Sequence, residues 1–197
     1  MTGDHSGATG HPVAAVGASP WVRRWLHLVR PGGTALDVAC GSGRHVRLLA
    51  ERGFRVTGVD QDPLATAALQ DCAEIVVADI ESGPWPFLGS RFDAVVVTNY
   101  LWRPLLPTIM SSVGEAGVLI YETFAMGQES VGRPTRPDFL LRPGELLEAA
   151  HGLRIVAYED GFLAEPGRYV QRLAAVREPS GPSTVAARYP LEASQAR

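Results

Sequence analysis

Residues 35–60 read ALDVACGSGRHVRLLAERGFRVTGVD, and this stretch decides the fold. The apolar run Ala35 to Ala39 predicts a buried parallel strand, and Gly41-Ser42-Gly43 lets the backbone turn sharply and approach a ligand closely. Arg44 to Arg52 sets Val46, Leu48 and Leu49 among charged positions, a helical pattern that Gly53 stops. Phe54 to Val59 is strand-like again, and Asp60 follows the glycines by about twenty residues, where an acid can bond ribose hydroxyls. A strand, a glycine turn, a helix and a second strand ending in an acid together suit an adenosine-containing cofactor.

A dinucleotide site shares this logic, but two residues argue against it. Val46 stands where the third glycine of G-x-G-x-x-G would be, and Asp37 lies inside the strand just before the turn. A carboxylate there repels a pyrophosphate, whereas it can accept a bond from a ligand ammonium group. The pattern therefore favours a cofactor bearing an amino acid.

The segment resembles the first cofactor motif of the class I S-adenosylmethionine-dependent methyltransferases, an acid followed by G-x-G-x-G. Asp37, Gly41 and Gly43 match it, and Ala39 occupies the first glycine position. The resemblance implies an α/β, Rossmann-like three-layer sandwich with a seven-stranded, mostly parallel sheet and an antiparallel edge strand. It also implies S-adenosylmethionine as cofactor, with Gly41 and Gly43 beneath its methionine part and Asp37 anchoring its amino group. Asp60 would hold the ribose, and Ala39, Ser42 and Gln61 complete this part of the candidate set.

Composition sets the frame. A chain of 197 residues, 46% hydrophobic, can bury one substantial core, so one domain is expected over residues 18–177. The Gly/Ser/Thr/Ala/His-rich residues 1–17 are expected to be a flexible segment and residues 178–197 a loose tail. A net charge of -3 offers no broad basic surface, so nucleic acid is read as an unlikely partner. No apolar run reaches the roughly 18 residues of a membrane span. Cys40 and Cys72 are the only cysteines, which fits a reducing cytoplasm. His27 and His151 have no metal-ligand spacing, and no metal is expected.

The remaining elements alternate. Helices are expected at Pro20–Val29, Pro63–Leu69, Pro104–Met110 and Glu145–Ala150, and strands at Glu74–Ala78, Phe92–Thr98, Val118–Phe124, Leu153–Glu159 and Tyr169–Val176. Ligands in open α/β sheets lie at the strand ends. By family position, Asp79 would bond the adenine amine, Ile80 would pack on its ring, and Thr98 and Asn99 would approach the cofactor. Tyr100, Trp102 and Arg103 would face the substrate or wall the cleft. His45 follows the turn, but its helical position points as readily toward the helix surface or a neighbouring element, so it is not read as a base.

Methyl transfer needs alignment and exclusion of water more than covalent chemistry, so a missing triad is no objection. Glu122 is a candidate to orient or deprotonate an acceptor, and Arg133 and Arg136 to draw in an anionic one, from a loop over residues 125–140 read as a lid. With Tyr100, these form the candidate catalytic set. The second half also resembles the tellurite-resistance branch of small methyltransferases, through Thr123-Phe124 and Phe139-Leu140-Leu141-Arg142-Pro143-Gly144-Glu145-Leu146. That resemblance implies a small-molecule methyl acceptor, and the wider methyltransferase class implies a monomer or homodimer. A protein or nucleic-acid methyltransferase is the alternative, disfavoured because Asn99-Tyr100-Leu101-Trp102 lacks the paired prolines of nucleic-acid amino methylation. A noncatalytic cofactor-binding or scaffold protein is a further alternative.

Overall fold

A computed structural model describes residues 17–181 and 187–193. Most of the expected flexible N-terminal segment, residues 1–16, lies outside the described residues. The described chain forms one seven-stranded sheet in the order β3-β2-β1-β4-β5-β7-β6. The strands are β1 (Thr34–Val38), β2 (Arg55–Asp60), β3 (Glu74–Val77), β4 (Phe92–Thr98), β5 (Val113–Phe124), β6 (Arg154–Leu163) and β7 (Arg168–Val176). The first five run parallel, and β7 is antiparallel to both β5 and β6.

The central position of β1 and β4 follows from their sequences. Almost every residue of ALDV and FDAVVVT is buried, as a strand covered on both faces requires. One apolar cluster, including Leu36, Val95, Val97, Leu119 and Tyr121, fills one face with α4 (Leu106–Ser111) and α5 (Glu145–Ala149). The other cluster, including Ala35, Val96 and Ile120, lies beneath α1 (Pro20–Trp25) and α2 (Arg44–Glu51). The result is the expected three-layer sandwich.

The helices are short. Pro20 begins α1, and the Ser19 hydroxyl accepts the Trp21 N–H at its N-terminus. The helix gives way to a 3-10 turn over Leu26–Leu28. The expected Pro63–Leu69 helix likewise divides into α3 (Pro63–Thr66), capped by Asp62, and a 3-10 turn. Strand β5 begins at Val113 rather than Val118, across a register shift opposite Phe92 and Ala94. Tyr189, beyond the main body, packs against the second cluster, and His27 reaches the Pro190 carbonyl at 2.9 Å. No described helix is long and apolar enough to cross a membrane.

Candidate active site

The carboxyl ends of β1 to β5 gather the motif residues. After β1 the chain turns through Ala39 (φ 53°), Gly41 (φ 53°) and Gly43 (φ 77°). A Cβ on Gly41 would meet open space, whereas one on Gly43 would collide with the Leu69 side chain. The two glycines therefore do different work. Gly41 leaves room above the turn, and Gly43 lets α2 pack against the segment after α3. Ala39 takes the left-handed conformation without being glycine, a conformation that costs about 1–2 kcal/mol.

The turn is held by β2. Asp60 accepts the Gly41 N–H at 2.7 Å on Oδ2 and the Asp62 N–H at 3.0 Å on Oδ1. A cavity of about 150 Å3 opens beside it, lined among others by Ala39, Asp60, Gln61, Asp79 and Ile80. Five of the expected cofactor residues thus share one wall. Asp79 also closes its own turn, its Oδ1 accepting the Glu81 and Ser82 N–H groups, which lower its pKa. It therefore caps a turn and lines the cavity at the same time.

Asp37 lies behind this wall, 1% exposed, and its Oδ2 is buried without a hydrogen-bond partner. Burial pushes its carboxyl up to about 8, against the opposing pull of Arg44. Arg44 itself is lowered by burial and by Arg168, and its nearest polar contact is a long 3.4 Å bond to Thr98 Oγ1. A buried acid with an unused oxygen and a cation that, among the described residues, has no carboxylate in hydrogen-bond reach fit the two charged ends of an amino acid. Together with the open space over Gly41, the residues present fit S-adenosylmethionine. Arg44 escaped the sequence reading. Its position at the helix start, directly after the glycines, was the available signal.

Thr98 and Ser42 line neither principal cavity. Thr98 is buried and belongs to a network on the α1 side. His45, 2% exposed, accepts the Ser19 N–H on Nε2 at 3.0 Å, so Nδ1 carries the proton and donates to Thr98 Oγ1 at 3.2 Å. Burial, with Arg44 and Arg23, lowers His45 to about 3. Both ring nitrogens are thus engaged in holding α1 and β4 to α2. Ser42 is exposed, and its carbonyl accepts from Arg47.

A second cavity, about 450 Å3, adjoins the first across Tyr100 and Glu81, which line both. Asn99, Thr123, Phe124, Arg133 and Phe139 also border it. Asn99 faces this space rather than the first cavity, with φ 55° and its N–H on the Glu122 carbonyl. The Tyr100 hydroxyl is buried without a hydrogen-bond partner between the two cavities, and burial raises its pKa.

The other candidate catalytic residues are dispersed. Glu122 is 0% exposed, lines neither cavity, and accepts from Ser19 Oγ, Arg168 and Arg172 at 3.0, 3.1 and 3.3 Å. Arg136 is exposed and paired with Asp138 at 2.8 Å. Arg103 turns away from the cleft to bind Glu145 at 2.7 Å and the carbonyls of Asp138 and Leu140, pinning the expected lid to α5. Buried Gln128 is a second anchor, donating to the Arg133 carbonyl and accepting the Tyr169 N–H. Among the described residues, no group of three or more His, Cys, Asp or Glu is placed to hold a metal ion.

Residues 35–116 match a family described as methyltransferase domain. The chain is 37% identical over 134 residues to the ribosomal protein L11 methyltransferase of Thiobacillus denitrificans, covering 63% of this chain and 45% of that protein. It is 30% identical over 114 residues to ribosomal RNA small subunit methyltransferase J of Aeromonas salmonicida, covering 55% and 46%. It thus spans less than half the length of these curated relatives. Among solved structures, TehB from Haemophilus influenzae aligns with a TM-score of 0.62 at 22% identity, covering 78% of this chain and 60% of that one.

These names overturn the expected small-molecule acceptor and the expectation that nucleic acid is an unlikely partner, because the curated relatives are named for a ribosomal protein and for ribosomal RNA. Net charge misled there because it sums over the whole surface and does not report what a cleft admits. Sheet order, glycine turn and matched domain agree: the chain has the class I methyltransferase fold, that of an enzyme family whose cofactor is S-adenosylmethionine.

Proposed function

We propose that this chain transfers a methyl group from S-adenosylmethionine to a macromolecule of the ribosome, either a ribosomal protein or ribosomal RNA. The observation that carries this reading is the 37% identity over 134 residues with a ribosomal protein L11 methyltransferase. The ribosomal RNA relative and the second cavity beside the first support it. The cytoplasm, where ribosomes are methylated, is the proposed location, and two free cysteines suit it.

S-adenosylmethionine, when bound, supplies an activated methyl group. The chain contributes binding and orientation. Asp60 keeps lone pairs for ribose hydroxyls beyond those used by Gly41 and Asp62. Asp37 would hold the ammonium end and Arg44 the carboxylate end. Tyr100 and Glu81 line both cavities and would align an acceptor in the second with a cofactor held in the first. Glu122, tied to two arginines, acts by holding β5, β7 and the start of α1 together rather than by taking a proton.

Calorimetric titration with S-adenosylhomocysteine tests the cofactor half. Saturable binding is expected, weakened about tenfold or more by Asp60→Ala, the loss typical of hydrogen bonds to a charged group. Absence of binding, or tighter binding of NADH, would overturn it. Transfer of labelled methyl to ribosomal subunits from a strain lacking the chain tests the acceptor half, and subunits that stay unlabelled would refute it.

A further inference from the structure

The second cavity has the lining of a slot for a flat heteroaromatic ring. Three aromatic side chains, Tyr100, Phe124 and Phe139, border its roughly 450 Å3. Aromatic walls gain stacking energy from the face of any nucleobase. Next to Tyr100, Asn99 offers a carboxamide with an acceptor and two donors, the complement of a base edge that carries both kinds of group. An alkylammonium carries donors only and would leave the Asn99 amide donors unmatched.

The charge at the border points the same way. Arg133 lines the cavity, and among the described residues no carboxylate lies within ion-pair distance of it. Its backbone is fixed by the buried Gln128, whose Nε2 donates to the Arg133 carbonyl at 3.0 Å. Glu81 puts the cavity's carboxylate on the side it shares with the first cavity, so Arg133 is the lining cation that can attract a phosphate. Arg136 lies 5.1 Å over the Phe139 ring, extending the stacking surface outward.

Resting on the macromolecular reading above, we propose that the acceptor is an unstacked nucleotide of RNA. Its base lies among Tyr100, Phe124 and Phe139, its edge on Asn99, and its flanking phosphate on Arg133. In the transfer, a lone pair of the base forms a bond to the methyl carbon of S-adenosylmethionine. The carbon–sulfur bond breaks, leaving its electron pair on sulfur. Where the nucleophile is an exocyclic amine, its surplus proton passes to water or to Glu81, the carboxylate of the lining. Unpairing the base is affordable in single-stranded or bulged RNA, where little stacking is lost.

The test uses the full chain and methyl-tritiated S-adenosylmethionine with a lysate of a strain lacking the chain. The products are divided into protease-treated RNA, nuclease-treated protein and a low-mass fraction. Label is expected in the RNA, in one modified nucleoside after digestion. Asn99→Ala and Arg133→Ala should each reduce RNA labelling about tenfold or more, in line with lost base-edge and phosphate contacts, at unchanged S-adenosylhomocysteine affinity. Label in protein would overturn this inference and leave the macromolecular reading standing. Label confined to the low-mass fraction, or absent from all three, would overturn both. RNA labelling undiminished in both variants would overturn the roles given to Asn99 and Arg133.

Discussion

Asp37 concentrates the chemistry of the cofactor end in one carboxyl group. Burial raises it to about 8, far above the ordinary aspartate value, so folding favours its protonated form. Its folded value exceeds its unfolded one, and its contribution to stability is therefore full in acid and is lost as pH rises from about 4 to 8. A bound ammonium requires the opposite form. Binding of S-adenosylhomocysteine should tighten with rising pH, by up to about tenfold per unit below pH 8, and then level off. Calorimetry between pH 6 and 8.5 measures this slope, and Asp37→Asn should remove it. A slope that survives the substitution would mean that Asp37 does not meet the cofactor's amino group.

At the scale of elements, the ion cluster around Glu122 joins four elements: β5, β7, β6 and the start of α1. Glu122 on β5 receives Arg168 and Arg172 from β7 and the Ser19 hydroxyl from the start of α1, and Arg172 also binds Glu159 on β6. Removing one partner from such a cluster leaves buried charge uncompensated, at about 3–5 kcal/mol. Glu122→Ala should therefore lower the urea midpoint strongly, by a loss in that range. A variant that unfolds like the parent but has lost turnover would instead restore Glu122 to the reaction. The sequence could not reveal this role. A carboxylate at a strand end looks the same whether it faces a cleft or two arginines 46 and 50 residues later.

Across the whole molecule, legibility followed the range of the interactions. Strand β1, the glycine turn, α2 and β2 were readable because their apolar periods and turn residues are local. The start of β5 was not, since Val113 to Gly117 carries two glycines and an alanine at φ 57° and pairs through contacts with the distant Phe92 and Arg177. Arg103 looked like a cleft residue until Glu145, 42 positions on, claimed it. Asn99 was placed at the correct strand end, but which cavity it borders depends on a left-handed backbone that no period announces. The wall formed by Tyr100 and Glu81 carries a further consequence, because it has one face toward each cavity. Occupants on its two sides are thermodynamically linked. Whatever factor S-adenosylhomocysteine imposes on acceptor affinity, the acceptor must impose equally on S-adenosylhomocysteine, so that strong positive linkage would make the spent cofactor hold the product back and slow turnover.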